Sequence, residues 1–175
     1  STVAASLASG VSQIFATALA FAALKEDGSV VSWGDALWGG DSSAVAAELD
    51  SGVIQIFTAS EAFAALKADG SVVTWGSPSG GGDSSAVAGR LASGVAQIFS
   101  TLGAFAALKA DGSVVTWGSS VYGADSSAVA SNLASGVTQI FSTGYGFAAL
   151  KSDGSVVTWG GSGTAPTGLS GVVGF

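Results

Sequence analysis

The chain has 175 residues, enough for one domain with a substantial core, and its 48% hydrophobic against 10% charged residues exclude an extended disordered polypeptide. A net charge of −7, with only four Lys and one Arg, denies it the basic footprint that nucleic acid or an anionic lipid surface requires, so neither is expected as a partner. The absence of His and Cys excludes disulfides, thiol nucleophiles, the usual zinc ligands and the commonest general base.

The chain is one unit written four times. Trp33, Trp75, Trp117 and Trp159 follow one another at a constant spacing of 42 residues, without insertion or deletion. A period of that size is the signature of a solenoid, propeller or array. The 27 glycines recur at fixed offsets, such as Gly28, Gly70, Gly112 and Gly154, and therefore read as turn punctuation. A single repeat domain is expected over residues 1–175, with repeats at 1–40, 41–82, 83–124 and 125–160. Residues 161–175 echo the start of a fifth repeat, as a latch or cap. The chain opens at Ser1 and contains no Met, which reads as a processed start or an excised piece; no run is apolar enough to suggest membrane insertion.

In chain order, Asp41–Leu49 predicts a short helix, with Asp41 capping the first turn and Val45 and Leu49 on one face. So short a helix has to dock to be stable. Val53–Thr58 predicts a first strand, Phe63–Lys67 a second and Ser71–Trp75 a third. Ala68-Asp69-Gly70 joins the last two, and Asp-Gly between apolar runs predicts a tight hairpin whose residues tolerate positive φ. Both faces of these strands are apolar, so each sheet is expected to be covered on both sides by its neighbours, with Ala64 and Ala65 allowing close approach. The expected fold is mainly β with short helices, a four-repeat closed ring of propeller-like blades; an open array is the alternative.

The run Ser135–Gly160, with its Ala-Leu-Lys-Ser-Asp-Gly-Ser-Val-Val-Thr-Trp-Gly ending, resembles a repeat of the regulator of chromosome condensation family, and Tyr122-Gly123 is similar to the start of that family's Y-G-Q-L-G. The resemblance extends to all four units and implies β-propeller blades. The units depart from it in being shorter, in lacking the family's His and in carrying the Asp-Ser-Ser-Ala-Val segment in place of an opening strand. The family's nucleotide-exchange and chromatin roles are not carried over, because the basic surface is missing. Shortened units of this kind resemble those of large repetitive bacterial surface proteins, which implies an extracellular or cell-surface location.

Four Lys-x-Asp-Gly copies, such as Lys67 and Asp69, are expected to be turns with a solvated Lys flank, and the four repeated Trp to be core. Asp41, Asp83 and Asp125 match no Ca²⁺ loop and read as caps, and Gly80-Gly81-Gly82 is followed by no Lys, so neither metal nor cofactor is expected. Asp35 and Glu61 are the carboxylates on which a hydrolase would have to rest, but no catalytic constellation is visible and no enzyme is expected. The copies disagree after the first strand, after the Trp and at the helix end. Loops on a rigid scaffold are where binding concentrates. The aromatic residues of these variable stretches, Trp38, Tyr122 and Tyr145, are the candidate ligand-binding residues, for a carbohydrate or a protein. A closed ring would be a monomer and an open one an edge-paired oligomer; the competing reading is a purely architectural spacer.

Overall fold

A computed structural model of the chain describes residues 2–161, so the expected latch lies outside the described residues. Among the described residues twelve strands form four separate three-stranded antiparallel sheets, each a meander. Blade one holds β1 (Val11–Ala16), β2 (Ala20–Lys25) and β3 (Val30–Gly34); blade two β4 (Val53–Thr58), β5 (Ala62–Lys67) and β6 (Val72–Gly76). Blade three holds β7 (Val95–Ser100), β8 (Ala104–Lys109) and β9 (Val114–Gly118); blade four β10 (Val137–Ser142), β11 (Gly146–Lys151) and β12 (Val156–Gly160). The expected strands are all present, within a residue or so at each end.

First strands of successive blades approach one another, whereas third strands are held apart by short 3₁₀ turns wedged between blades. The blades therefore fan out from a common inner edge, the arrangement of a propeller. Each first strand carries a bulge, so Val53 and Ile56, three residues apart, both face the core while Gln55 turns outward.

Each blade presents two different faces. One is small and flat: Ala20, Ala22 and Leu24 of β2 pack with Ile56, Phe63, Ala65, Val73 and Trp75, the bulky face of blade two. The same pairing recurs between blades two and three and between blades three and four. The alanines are fully buried, as the close approach requires. Cross-strand pairing places Phe63 opposite Trp75, and their rings stack with centroids 5.0 Å apart. The Trp75 indole N–H donates to the Gly39 carbonyl of the preceding loop at 3.1 Å, and Trp117 and Trp159 repeat the bond to Gly81 and Gly123. A Cβ at Gly81 would meet the Phe105 ring at 2.7 Å, and its φ of +101° is left-handed, so only glycine fits there.

Three expectations are corrected. The Asp41–Leu49 helix is a 3₁₀ turn, Ser43–Val45, followed by further turns, because the segment is too short to sustain an α-helix and is held by docking Leu49 into the core. An α-helix forms only as α1 (Thr2–Ser6) and α2 (Ala88–Leu91) among the described residues. The Lys-x-Asp-Gly turn keeps Asp at negative φ; only Gly is left-handed, and a Lys67 N–H to Ser71 carbonyl bond closes a three-residue loop. The Lys flank is also engaged, since Lys67, Lys109 and Lys151 Nζ donate to the carbonyls of Glu48, Arg90 and Asn132.

The described residues form an arc whose two outer faces are uncovered. Ile14 and Phe21 are 62% and 44% exposed, whereas Ile56 and Phe63 are 2% and 0% exposed, so blade four does not close onto blade one as the internal blades close onto each other. The closed four-bladed ring is therefore not formed by these residues, and the open alternative describes them.

Candidate binding groove

Two of the three variable stretches, after the first strand and after the Trp, gather at one end of the blades, while the third, at Glu48, Arg90 and Asn132, lies at the other end beside Lys67, Lys109 and Lys151. At the first of these ends the turns between first and second strands form a rail: the Ala18 N–H donates to the Ser60 carbonyl at 2.9 Å, Ser60 to Leu102 at 2.9 Å and Leu102 to Gly144 at 3.0 Å. The loops after each Trp come to the same end. Each contains a 3₁₀ turn, Ala36–Trp38, Pro78–Gly80 and Ser120–Tyr122, stopped by a left-handed glycine. The Thr17 hydroxyl donates to the Trp38 carbonyl at 3.0 Å and Thr101 to the Tyr122 carbonyl at 2.9 Å, which ties these loops to the rail.

Between rail and loops lies a groove of about 410 Å³, with Trp38 at one side, Tyr122 at the other, and Ser60, Glu61, Gly80 and Leu102 between. Its origin is a missing side chain. Trp38, Gly80 and Tyr122 stand at the same position of successive repeats, so the aromatic side chain of blades one and three has no counterpart in blade two. The rail varies to match: Gly103 accommodates Tyr122, whose ring would lie 2.6 Å from a Cβ there, and Glu61 borders the backbone of Gly80.

Of the three aromatic candidates, Trp38 and Tyr122 line this groove, both half-buried. Tyr145 is 56% exposed and does not line it, but stacks on Tyr122 with centroids 5.4 Å apart, stiffening that wall. Glu61 points its acid into the groove region, while Asp35 Oδ1 accepts the Leu37 N–H at 2.9 Å and serves as a cap. Among the described residues no group of three or more acidic residues is placed to hold a metal ion, and no helix is long and apolar enough to cross a membrane. Sequence reasoning missed Glu61 as a groove residue, as well as the large-for-small exchange between Gly80/Glu61 and Tyr122/Gly103, which a comparison of paired offsets across repeats could have found.

At the opposite end the turns are uniform. The carboxylates of Asp27, Asp69, Asp111 and Asp153 are held below the ordinary range by the hydroxyl and then the N–H of the Ser two residues on. In Asp41 and Asp83 the Ser N–H leads, and in Asp125 the Ser hydroxyl. These acids stabilise turns and face solvent. A smaller cavity of about 250 Å³ opens on the inner edge between Gln55, Phe57, Gln97 and Phe99. It is lined by repeated residues and lacks the asymmetry of the groove.

The arrangement of meander blades around a common edge is shared with solved propellers. Human WBSCR16 superposes with a TM-score of 0.54 at 22% identity, over 86% of this chain and 47% of its own. Yeast RCC1 (Prp20), solved with Kap60 bound, gives 0.53 at 17%, over 86% and 42%. Prp20p of Saccharomyces cerevisiae, solved in a study of its binding to Gsp1p and histones, gives 0.52 at 17%, over 86% and 43%. The fold is that of RCC1-type β-propeller repeats. The chain spans slightly under half the length of these RCC1-type proteins. No family model matches it, and no curated protein matches its sequence.

Proposed function

We propose that this RCC1-type arc is a non-enzymatic binding module, a single repeat domain that takes a protein partner in the groove between Trp38 and Tyr122. The observation that carries the reading is the groove's composition: two aromatic walls with Glu61 between them, in a chain of net charge −7. A Lys or Arg side chain of a partner meets there both a π-face and a carboxylate, and cation–π attraction is worth about 0.5–2 kcal/mol. Long-range attraction favours a basic segment as well. That yeast Prp20 is described with Kap60, Gsp1p and histones supports a protein as the class of ligand.

Carbohydrate is the second reading, favoured by the flat Trp38 face and the stacked Tyr122–Tyr145 pair, on which a sugar ring can lie. A place on a bacterial surface or in a secreted protein belongs to this proposal too and rests on the resemblance of the shortened units. The test is to probe the chain on an array of Lys- and Arg-containing peptides and on a glycan array, with Trp38→Ala and Glu61→Gln alongside. Peptide binding that weakens at least about tenfold in both variants and fades with salt supports the first reading. Sugar binding lost in Trp38→Ala alone selects the second, and no binding on either array overturns the groove in favour of a spacer.

A further inference from the structure

The two uncovered ends of the arc are the two halves of a junction that the molecule makes three times internally. At each internal junction the small face of one blade meets the bulky face of the next, in a core that unites, for example, Ala22 with Phe63. Blade one leaves the bulky face open, with Ile14 and Phe21 exposed. Blade four leaves the small face open: Phe141 is 52% exposed, and Ala148 and Leu150 are only half-buried where Ala106 and Leu108 are buried. None of these residues is charged, and apolar patches of this kind mark interaction surfaces.

The polar groups of the two ends are complementary in sense as well. The rail runs N–H to carbonyl from blade one to blade four, so it ends in the Gly144 N–H on blade four and the Ala18 carbonyl on blade one, neither partnered among the described residues. At the other end of the blades, Val53, Val95 and Val137 N–H donate to Gly28, Gly70 and Gly112 carbonyls across the junctions. The next donor in that series is Val11, on blade one, and the next acceptor is Gly154, on blade four. The Trp33 indole N–H likewise has no partner among the described residues, where Trp75, Trp117 and Trp159 each donate to the loop before them.

We propose that the occupant of both faces is a second copy of this chain, the small face of each blade four covering the bulky face of its partner's blade one, so that two arcs close into one ring of eight blades. The interface is face to face, not sheet edge to sheet edge. It repeats the internal junction twice around a two-fold axis, and closure leaves no blade uncovered. The RCC1-type proteins that share the fold provide a sense of scale, since this chain spans slightly under half of each. This inference is independent of the groove and its ligand.

The test is the solution mass of the whole chain by light scattering and sedimentation, expected at twice 16.8 kDa. Phe21→Asp and Ala148→Arg each spoil one face, and in a ring of identical copies each spoils both junctions, so each variant is expected to run at the monomer mass with an unchanged circular dichroism spectrum. Mixing the two variants restores one native junction and sets Asp against Arg in the other, so the doubled mass is expected to return. Ile14→Glu, at a more exposed position, replaces Phe21→Asp if that variant does not fold. A wild-type monomer at every concentration tested overturns the proposal and assigns the faces to residues 162–175 or to nothing. Variants that keep the doubled mass overturn it in favour of edge pairing, and particles larger than two copies overturn the two-copy ring.

Discussion

Blades one and two carry the same hairpin, Phe-Ala-Ala-Leu-Lys ending in Trp-Gly, with the same register and the same Phe–Trp stack. Phe63 is nonetheless fully buried and Phe21 is 44% exposed. The difference lies outside the hairpin: among the described residues, blade two has a blade in front of it and blade one has none. An identical local sequence therefore contributes differently to stability according to its place in the stack, as the nearest-neighbour energetics of repeat proteins require.

The sharpest way to break that comparison is to truncate the two phenylalanines. Phe63→Ala leaves a cavity at a closed junction and is expected to cost about 3–5 kcal/mol in denaturant unfolding. Phe21→Ala is expected to cost about 1 kcal/mol, measured at concentrations too low for self-association. Equal losses would mean that blade one's bulky face is covered in solution. Next in size is Gly81→Ala, which drives a Cβ against Phe105 at a left-handed φ and is expected to cost about 1–3 kcal/mol, read as a lowered melting temperature.

A gain is expected at Ser32. Thr74 and Thr116, its counterparts, use their hydroxyls on the Gly82 and Ala124 carbonyls and on Ser84 and Ser126, whereas the buried Ser32 Oγ has no partner among the described residues. Ser32→Thr is expected to bring blade one into line and raise stability by about 1 kcal/mol in the same unfolding assay. No change would mean that the loop after blade one is set differently from its counterparts.

The smallest effect per site is electrostatic and is shared by all blades. Hydrogen bonds from the following Ser hold the turn aspartates below the ordinary aspartate range, so the folded state binds protons more weakly than the unfolded chain. Their contribution is fully present above about pH 4, near the ordinary aspartate value, and is lost as pH falls through the lowered folded values. The stability gap between the wild type and Asp69→Ala is therefore expected to narrow on acidification below about pH 4, as followed by thermal melts across that range. A gap that widens in acid would reverse the assignment.

Much of this architecture was legible in the chain. The 42-residue period, the three strands, the alanines that allow close packing and the Phe and Trp that fill the junction follow from pattern, because side-chain alternation and turn residues act locally. The candidate site was partly legible: Trp38 and Tyr122 stood out as aromatic residues in variable loops, and Tyr145 entered on the same ground but belongs to the wall behind Tyr122. Glu61 was not legible as a groove residue, since its place depends on the rail crossing beneath the loop that carries Gly80.

The sequence by itself determined the repeated hairpin and the two unlike faces of each blade, for which hydrophobic periodicity and glycine positions are sufficient. Only the tertiary structure decided that the arc of described residues ends in two open faces, that a glycine in the second blade opens a groove between two aromatic residues, and that each loop glycine receives a tryptophan from the next blade. Those outcomes depend on which residues meet across a junction 36 to 42 positions apart, and no local propensity records that distance.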